Sequence, residues 1–410
     1  MRNDNGRFDT TPVDIGRHMV PTVKKPEKGK PGGHTVPHWI YRIIIILALC
    51  ALAVLGWYNR DNLAPANVLQ WVKSSVVGIG VGDGFPKTFS GSTVEPGNFL
   101  SCEKNVIYAS DTALTVCNPT GKELLNFQHS YGSPAVCAAG SRVLLYNLGG
   151  KDAASTTVGG STQNLSVNQS ILGGAISADG HCALISGTDG YCGKLTAFTP
   201  AGKALSYYWF SDYYPTAVAL NPSGTKAAVT GVSAKDGSLV SAVYIINLSS
   251  GKTVLPKTVC TGNLFHAVAW NTENTVEAVG DSSAVFLNAS SGEKKEYGFG
   301  GSHLTAYSFD GGRLALGLMP FEGSENQKFV VLDESGSPVR SRTLTGKISS
   351  VSLFGQTAAA LSDGKIYFEP LGAGPEAVRS AGNDACAVTL KDETSAYVLG
   401  ISEVRLVNNQ

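Results

Sequence analysis

The sequence predicts an all-β fold, a β-propeller of eight (alternatively seven) four-stranded blades, and three observations carry that expectation. Charged residues make up only 16% of the 410, while glycine alone counts 48, a balance that suits strands and turns better than helices. From Phe99 onward short apolar strands alternate with turn residues, and openings such as "GAISADGHCALISG", "TAVALNPSGTKAAVTG" and "LTAYSFDGGRLALG" recur down the chain. In most units a second signature follows, an apolar strand closing on glycine plus a polar residue, as in "LTVCNPTGKELL", "LTAFTPAGKALSY" and "VYIINLSSGKTVL". Its glycines, Gly121, Gly202, Gly251, Gly292 and Gly336, stand 81, 49, 41 and 44 residues apart, and the first interval is two periods with one marker lost. A period near ~40 with four strands per unit marks a propeller, because each sheet has two apolar faces and buries them only by stacking on its neighbours in a ring.

Taken in order, residues 1–38 carry seven Lys/Arg against four Asp/Glu and few large apolar side chains. That composition predicts a disordered tail. Residues 39–58 form the one long apolar run, with Trp39, Tyr41, Arg42, Trp57 and Tyr58 as interfacial anchors. At ~1.5 Å per residue the run spans ~30 Å, the thickness of a bilayer's hydrocarbon core. The competing reading is a cleaved signal peptide with "LAPA" (Leu63 to Ala66) as the cleavage site. A 38-residue leader and an uncharged run from Ile43 to Gly56 favour the retained anchor. The flanking charge predicts a cytoplasmic N-terminus and an extracytoplasmic main domain in the cell membrane. Within residues 59–83, "APANVLQWVKSSVVG" (Ala64 to Gly78) has the spacing of a short juxtamembrane helix.

Residues 84–410 are the expected propeller. Eight units between Phe99 and Gln410 average 39 residues each. Seven blades is the alternative because "GGKDAASTTVGGSTQNLSVNQS", in the unit from Ser133 to Asn168, is weakly apolar and reads equally as a long surface loop. "GFPKTFSGSTV" (Gly84 to Val94) is expected to lend a strand to the last blade and so close the ring.

The closes "NPTGKELLNF" and "TPAGKALSYYW" resemble PQQ-type and WD-repeat propeller sequence. The order of basic tail, apolar helix, "WVKSSVVGIGVGDGFPKTFSG" (Trp71 to Gly91) and repeats resembles a family of uncharacterised Gram-positive membrane proteins, domain of unknown function 5711, over roughly residues 38–410. "GVGDGFP" (Gly80 to Pro86) is the most distinctive part. The resemblance implies a membrane-anchored propeller and no activity.

Chemistry is sparse. With 32 basic and 32 acidic residues the net charge is zero, so no global field draws nucleic acid. Quinoprotein dehydrogenases share the fold class, yet no acidic calcium loop occurs, and only Trp209 and Trp270 lie within the repeats. Neither a Walker loop nor HExxH nor GxSxG is present, and His129, His181, His266 and His303 are isolated in sequence. No catalytic, cofactor or metal residue is assigned. "LPKTV" (Leu255 to Val259) reads as a turn between strands. Of eight cysteines, Cys50 falls in the apolar run, and Cys182 with Cys192 is the best candidate pair for one disulfide against the alternative of two buried thiols. "YYWFSDYYP" (Tyr207 to Pro215) concentrates aromatics between two blades. Tyr207, Tyr208, Trp209, Tyr213 and Tyr214 are a candidate ligand surface, with inter-blade packing as the alternative.

The expected function is a non-enzymatic, single-pass platform that binds or assembles envelope or membrane proteins. Binding of cell-surface carbohydrate or peptidoglycan is the alternative, and a quinoprotein-like oxidoreductase comes third.

Overall fold

A computed structural model describes Ile40, residues 45–47, Leu49, Cys50, residues 80–89, Gly91 and residues 93–409. The chain divides into two compact units, Met1–Tyr58 and Asn59–Gln410. In the first, the described residues are helical, and Ile45, Ile46, Leu47 and Leu49 are exposed. Among the described residues no helix is long and apolar enough to cross a membrane. The tail, most of the apolar run with all five of its anchors, and the juxtamembrane helix lie outside the described residues.

The second unit is built from eight antiparallel sheets, seven of them made of consecutive strands. Blades 1 to 7 occupy residues 94–128, 134–166, 171–210, 214–261, 265–298, 303–345 and 348–380. Blade 8 takes Ala387–Asp392, Ser395–Leu399 and Glu403–Asn408 from the C-terminus, and its outer strand, Lys87–Thr88, comes from the other end of the chain. Lys87 pairs with Val404 and Thr88 with Glu403. The ring closes as the sequence predicts, and eight blades is the count.

The strand "DAASTT" (Asp152–Thr157) and its partner Thr162–Ser166 complete blade 2, so the weakly apolar stretch is sheet and not loop. Its residues look polar because they are small. Ala153, Ala154, Ser155, Thr156 and Thr157 are all buried, where close neighbours leave no room for larger side chains. The missing glycine marker is Gly160, at φ 86°, in a turn where its N–H bonds to Thr157 O at 2.8 Å. The five recognised markers have φ between 63° and 77°, a left-handed backbone that β-branched residues resist.

The hydrophobic core is eight seams. Each buried cluster joins side chains of two adjacent blades: Phe210, Tyr213 and Tyr244 between blades 3 and 4, Phe329 and Ile348 between 6 and 7, Phe99 and Tyr397 between 8 and 1. Blade 4 is irregular. Its outer edge splits into Lys252–Thr253 and Thr258–Thr261, with Leu255–Lys257 between them, and Lys257 pairs with Asp212 at 2.6 Å.

Candidate functional site

The two ends of the ring differ in construction. Strands alternate in direction, so the turns from first to second strand share one face of the ring with those from third to outer strand. The chain passes from blade to blade on the opposite face. The first face therefore has no covalent links between blades 1 to 8, and side chains supply them at every junction. Cys102 Sγ bonds to Gly140 O at 3.3 Å. The buried Arg142 packs under Gly180, where a Cβ would stand 2.5 Å from Cζ, and a Cβ on Gly224 would stand 2.4 Å from Asp179 Oδ1. Glu273 of blade 5 accepts from Ser223 N and Oγ of blade 4, both at 2.8 Å, and from the Asn221 amide. Asn271 lies against Gly312. Arg313 donates to Gly355 O and to Gln356 Oε1, Gln356 N donates to Glu393 Oε1 at 2.8 Å, and Tyr397 Oη donates to Lys104 O at 2.7 Å.

The N-terminal strap joins this same face. Gly80 O accepts from Asn118 Nδ2 and Thr120 Oγ1, Gly82 N donates to Thr120 Oγ1, and Gly84 N donates to Thr120 O. Phe85 then packs on Tyr397, with ring centroids 5.3 Å apart. The distinctive "GVGDGFP" element is thus the clasp of the ring, seated on blade 1 before it enters blade 8.

On the opposite face the turns from second to third strand carry exposed Leu148, Tyr191, Phe321 and Ile401. The turns from first to second strand carry no exposed large apolar residue among the described residues.

The candidate aromatics divide by strand parity. Ala204–Phe210 is the outer strand of blade 3, not a crossing segment. Tyr208 and Phe210 point toward blade 4 and meet Tyr244, at 6.0 Å and 5.2 Å between centroids. Tyr213 is buried in the same seam. Tyr207, Trp209 and Tyr214 are exposed. Two of the five candidates are packing and three are surface. Sequence reasoning missed Lys194, whose Nζ lies 4.0 Å from the Tyr207 ring centroid and 5.4 Å from that of Trp209. Reading the stretch as a strand with period two would have found the division.

A cavity of about 760 Å³ opens along the inner strands of blades 1, 6, 7 and 8. Many of its hydroxyls are committed: Thr389 accepts from Ser101 N, Ser350 from Val388 N and Ser352 from Leu390 N, joining neighbouring inner strands. Burial pushes the Cys102 thiol up to about 12, so it is protonated at neutral pH, and burial also raises Glu103 and Asp310.

Ser177, Asp179 and His181 resemble a catalytic triad in composition only. Ser177 Oγ bonds to Asp179 Oδ1, and His181 Nδ1 meets Asp179 Oδ2 at 2.7 Å. The carboxylate sits between serine and imidazole, so the imidazole is not placed to take the serine's proton. Among the described residues no three His, Cys, Asp or Glu converge as metal ligands. Cys182 and Cys192 are free thiols at opposite ends of a hairpin. Cys182 faces Phe198 in register, whereas Cys192 N bonds to Phe210 O.

Two solved structures are similar in fold. BamB from Moraxella catarrhalis is 11% identical with a TM-score of 0.47, over 78% of this chain and 97% of that one. Hydrazine synthase of Kuenenia stuttgartiensis is also 11% identical with a TM-score of 0.47, over 80% of this chain and 99% of that one. No curated protein matches. The model of a family of unknown function, DUF5711, matches residues 86–398, from the cis Phe85–Pro86 bond of the clasp to the second strand of blade 8, and the chain belongs to that family.

Proposed function

We propose that this chain is a non-enzymatic platform, held at a Gram-positive cell membrane by a single N-terminal helix, that presents its propeller outside the cytoplasm to envelope or membrane proteins. The observation that carries this reading is the polarity of the ring. The clasp and a side-chain contact at each of the eight junctions occupy one face, which supports reading that face as a rigid base. The opposite face is held by the chain itself, so its turns are free to vary and to carry apolar tips. Exposed Ile45, Ile46, Leu47 and Leu49 support a helix that sits in lipid. Tethering would raise the effective concentration of the platform near other membrane proteins.

The test uses the full chain in intact cells. Protease added outside should degrade the propeller and leave the N-terminal tail intact, and affinity purification from detergent extracts should recover specific membrane or envelope proteins. A protease-resistant propeller, or a chain released into the medium, would overturn the placement.

A further inference from the structure

We infer that the wall of blade 3 facing blade 2 binds an oligosaccharide that carries a carboxylate. Three features of that wall converge. First, Tyr207 and Trp209 stand two residues apart on the outer strand, are 43% and 45% exposed, and hold their rings 5.8 Å apart between centroids. These exposed rings lie on the side of the strand turned away from the seam with blade 4, so they add little to the core. They offer instead the flat apolar surface on which the C–H face of a pyranose stacks.

Second, Lys194 lies directly opposite Trp209 in the sheet register and leans over both rings. Among the described residues it makes no ion pair within salt-bridge distance. An ammonium held by ring faces alone keeps donors free for an anion, and a carboxylate beside a stacked sugar is within the reach of such a group.

Third, the adjoining groove, about 130 Å³ between blades 2 and 3, is lined by Tyr207 and Lys194 together with neutral Asn168, Gln169 and Thr188. Lys194 is the only charged side chain lining it. Amides and hydroxyls match sugar hydroxyls, whereas a protein anchor calls for a desolvated apolar pocket. A single lysine is too little charge for nucleic acid.

This site is independent of the platform reading, since a saccharide could bind blade 3 whatever the opposite face contacts. The test is calorimetric titration of the purified full chain in detergent with two tetrasaccharides. One alternates N-acetylglucosamine with N-acetylmuramic acid, and the other is neutral chitotetraose. The acidic sugar should bind about ten-fold more tightly. Trp209→Ala should abolish binding of both, and Lys194→Gln should remove the preference while leaving chitotetraose binding unchanged. Thermal melts of both variants should match the parent chain, because neither side chain is in a seam. Absence of heat with either sugar, equal affinity for the two, or unchanged binding by both variants would overturn the inference. So would loss of a protein partner in Trp209→Ala with no saccharide bound, which would assign the wall to protein recognition.

Discussion

On one face of the ring, Glu273 reaches from blade 5 to hold Ser223 and Asn221 of blade 4; on the other, Ile401 and Phe321 project from their turns into solvent. Both faces belong to the same eight sheets, and the difference lies in where the chain crosses. Crossing segments bind adjacent blades covalently on the open face. The stitched face lacks that link and makes it from carboxylates, an arginine pair, glycines that admit close approach, and the clasp. A closed ring also needs its uncrossed face held, and the polar contacts named there serve that structural end. On the proposed reading, recognition falls to the face that topology already secures.

The largest effect is expected where the clasp meets blade 1. A Cβ on Gly82 would stand 2.2 Å from Lys122 N and 2.4 Å from Gly121 C, backbone atoms that do not move aside. Gly82→Val should lift the strap, forfeit its hydrogen bonds and destabilise the domain by about 3 kcal/mol in denaturant unfolding. Glu273→Ala should cost about 2 kcal/mol by the same measurement, through loss of its three charge-assisted bonds to blade 4, while the Asn221 amide keeps Ser223 Oγ and Thr225 Oγ1.

A pH effect sharpens the comparison. Burial raises the pKa of Glu277, in the seam of blades 5 and 6, from 4.5 to about 7, against a hydrogen bond from Asn271 that lowers it and with the charge of Glu334 raising it further. Its folded-state value lies above the unfolded one, so its neutral form stabilises fully below pH 4.5, and that contribution is lost as pH rises through about 7. Unfolding free energy should drop on the order of 1–2 kcal/mol between pH 6 and 8, and Glu277→Gln should flatten that drop. The smallest effect is expected on the open face: Phe321→Ser and Ile401→Ser should each change stability by less than about 0.5 kcal/mol.

Much of this architecture was legible in the sequence. The recurring strand openings gave eight units with seven as the alternative, the glycine markers gave the period, and "GFPKTF" gave the closure, because these depend on local backbone chemistry repeated at a fixed spacing. Blade 2 was obscured by Ala, Ser and Thr, whose hydropathy says little about how closely a strand is packed. The stitches were illegible for another reason. Glu273 and Asn221 are 52 positions apart and Tyr397 and Lys104 are 293 apart, and no local pattern announces such pairs. The aromatic stretch was found, but its division into packing and surface rings required knowing that it is a strand.

The most direct test of the two-faced ring places a photo-crosslinking residue at four positions of the full-length chain in cells. Phe321 and Ile401 report the open face, and Thr272 and Thr394 report the stitched one. Discrete protein adducts at Phe321 or Ile401, with none at Thr272 and Thr394, are the predicted result. Adducts confined to Thr272 and Thr394, or absent from all four, would contradict the assignment of recognition to the covalently crossed face.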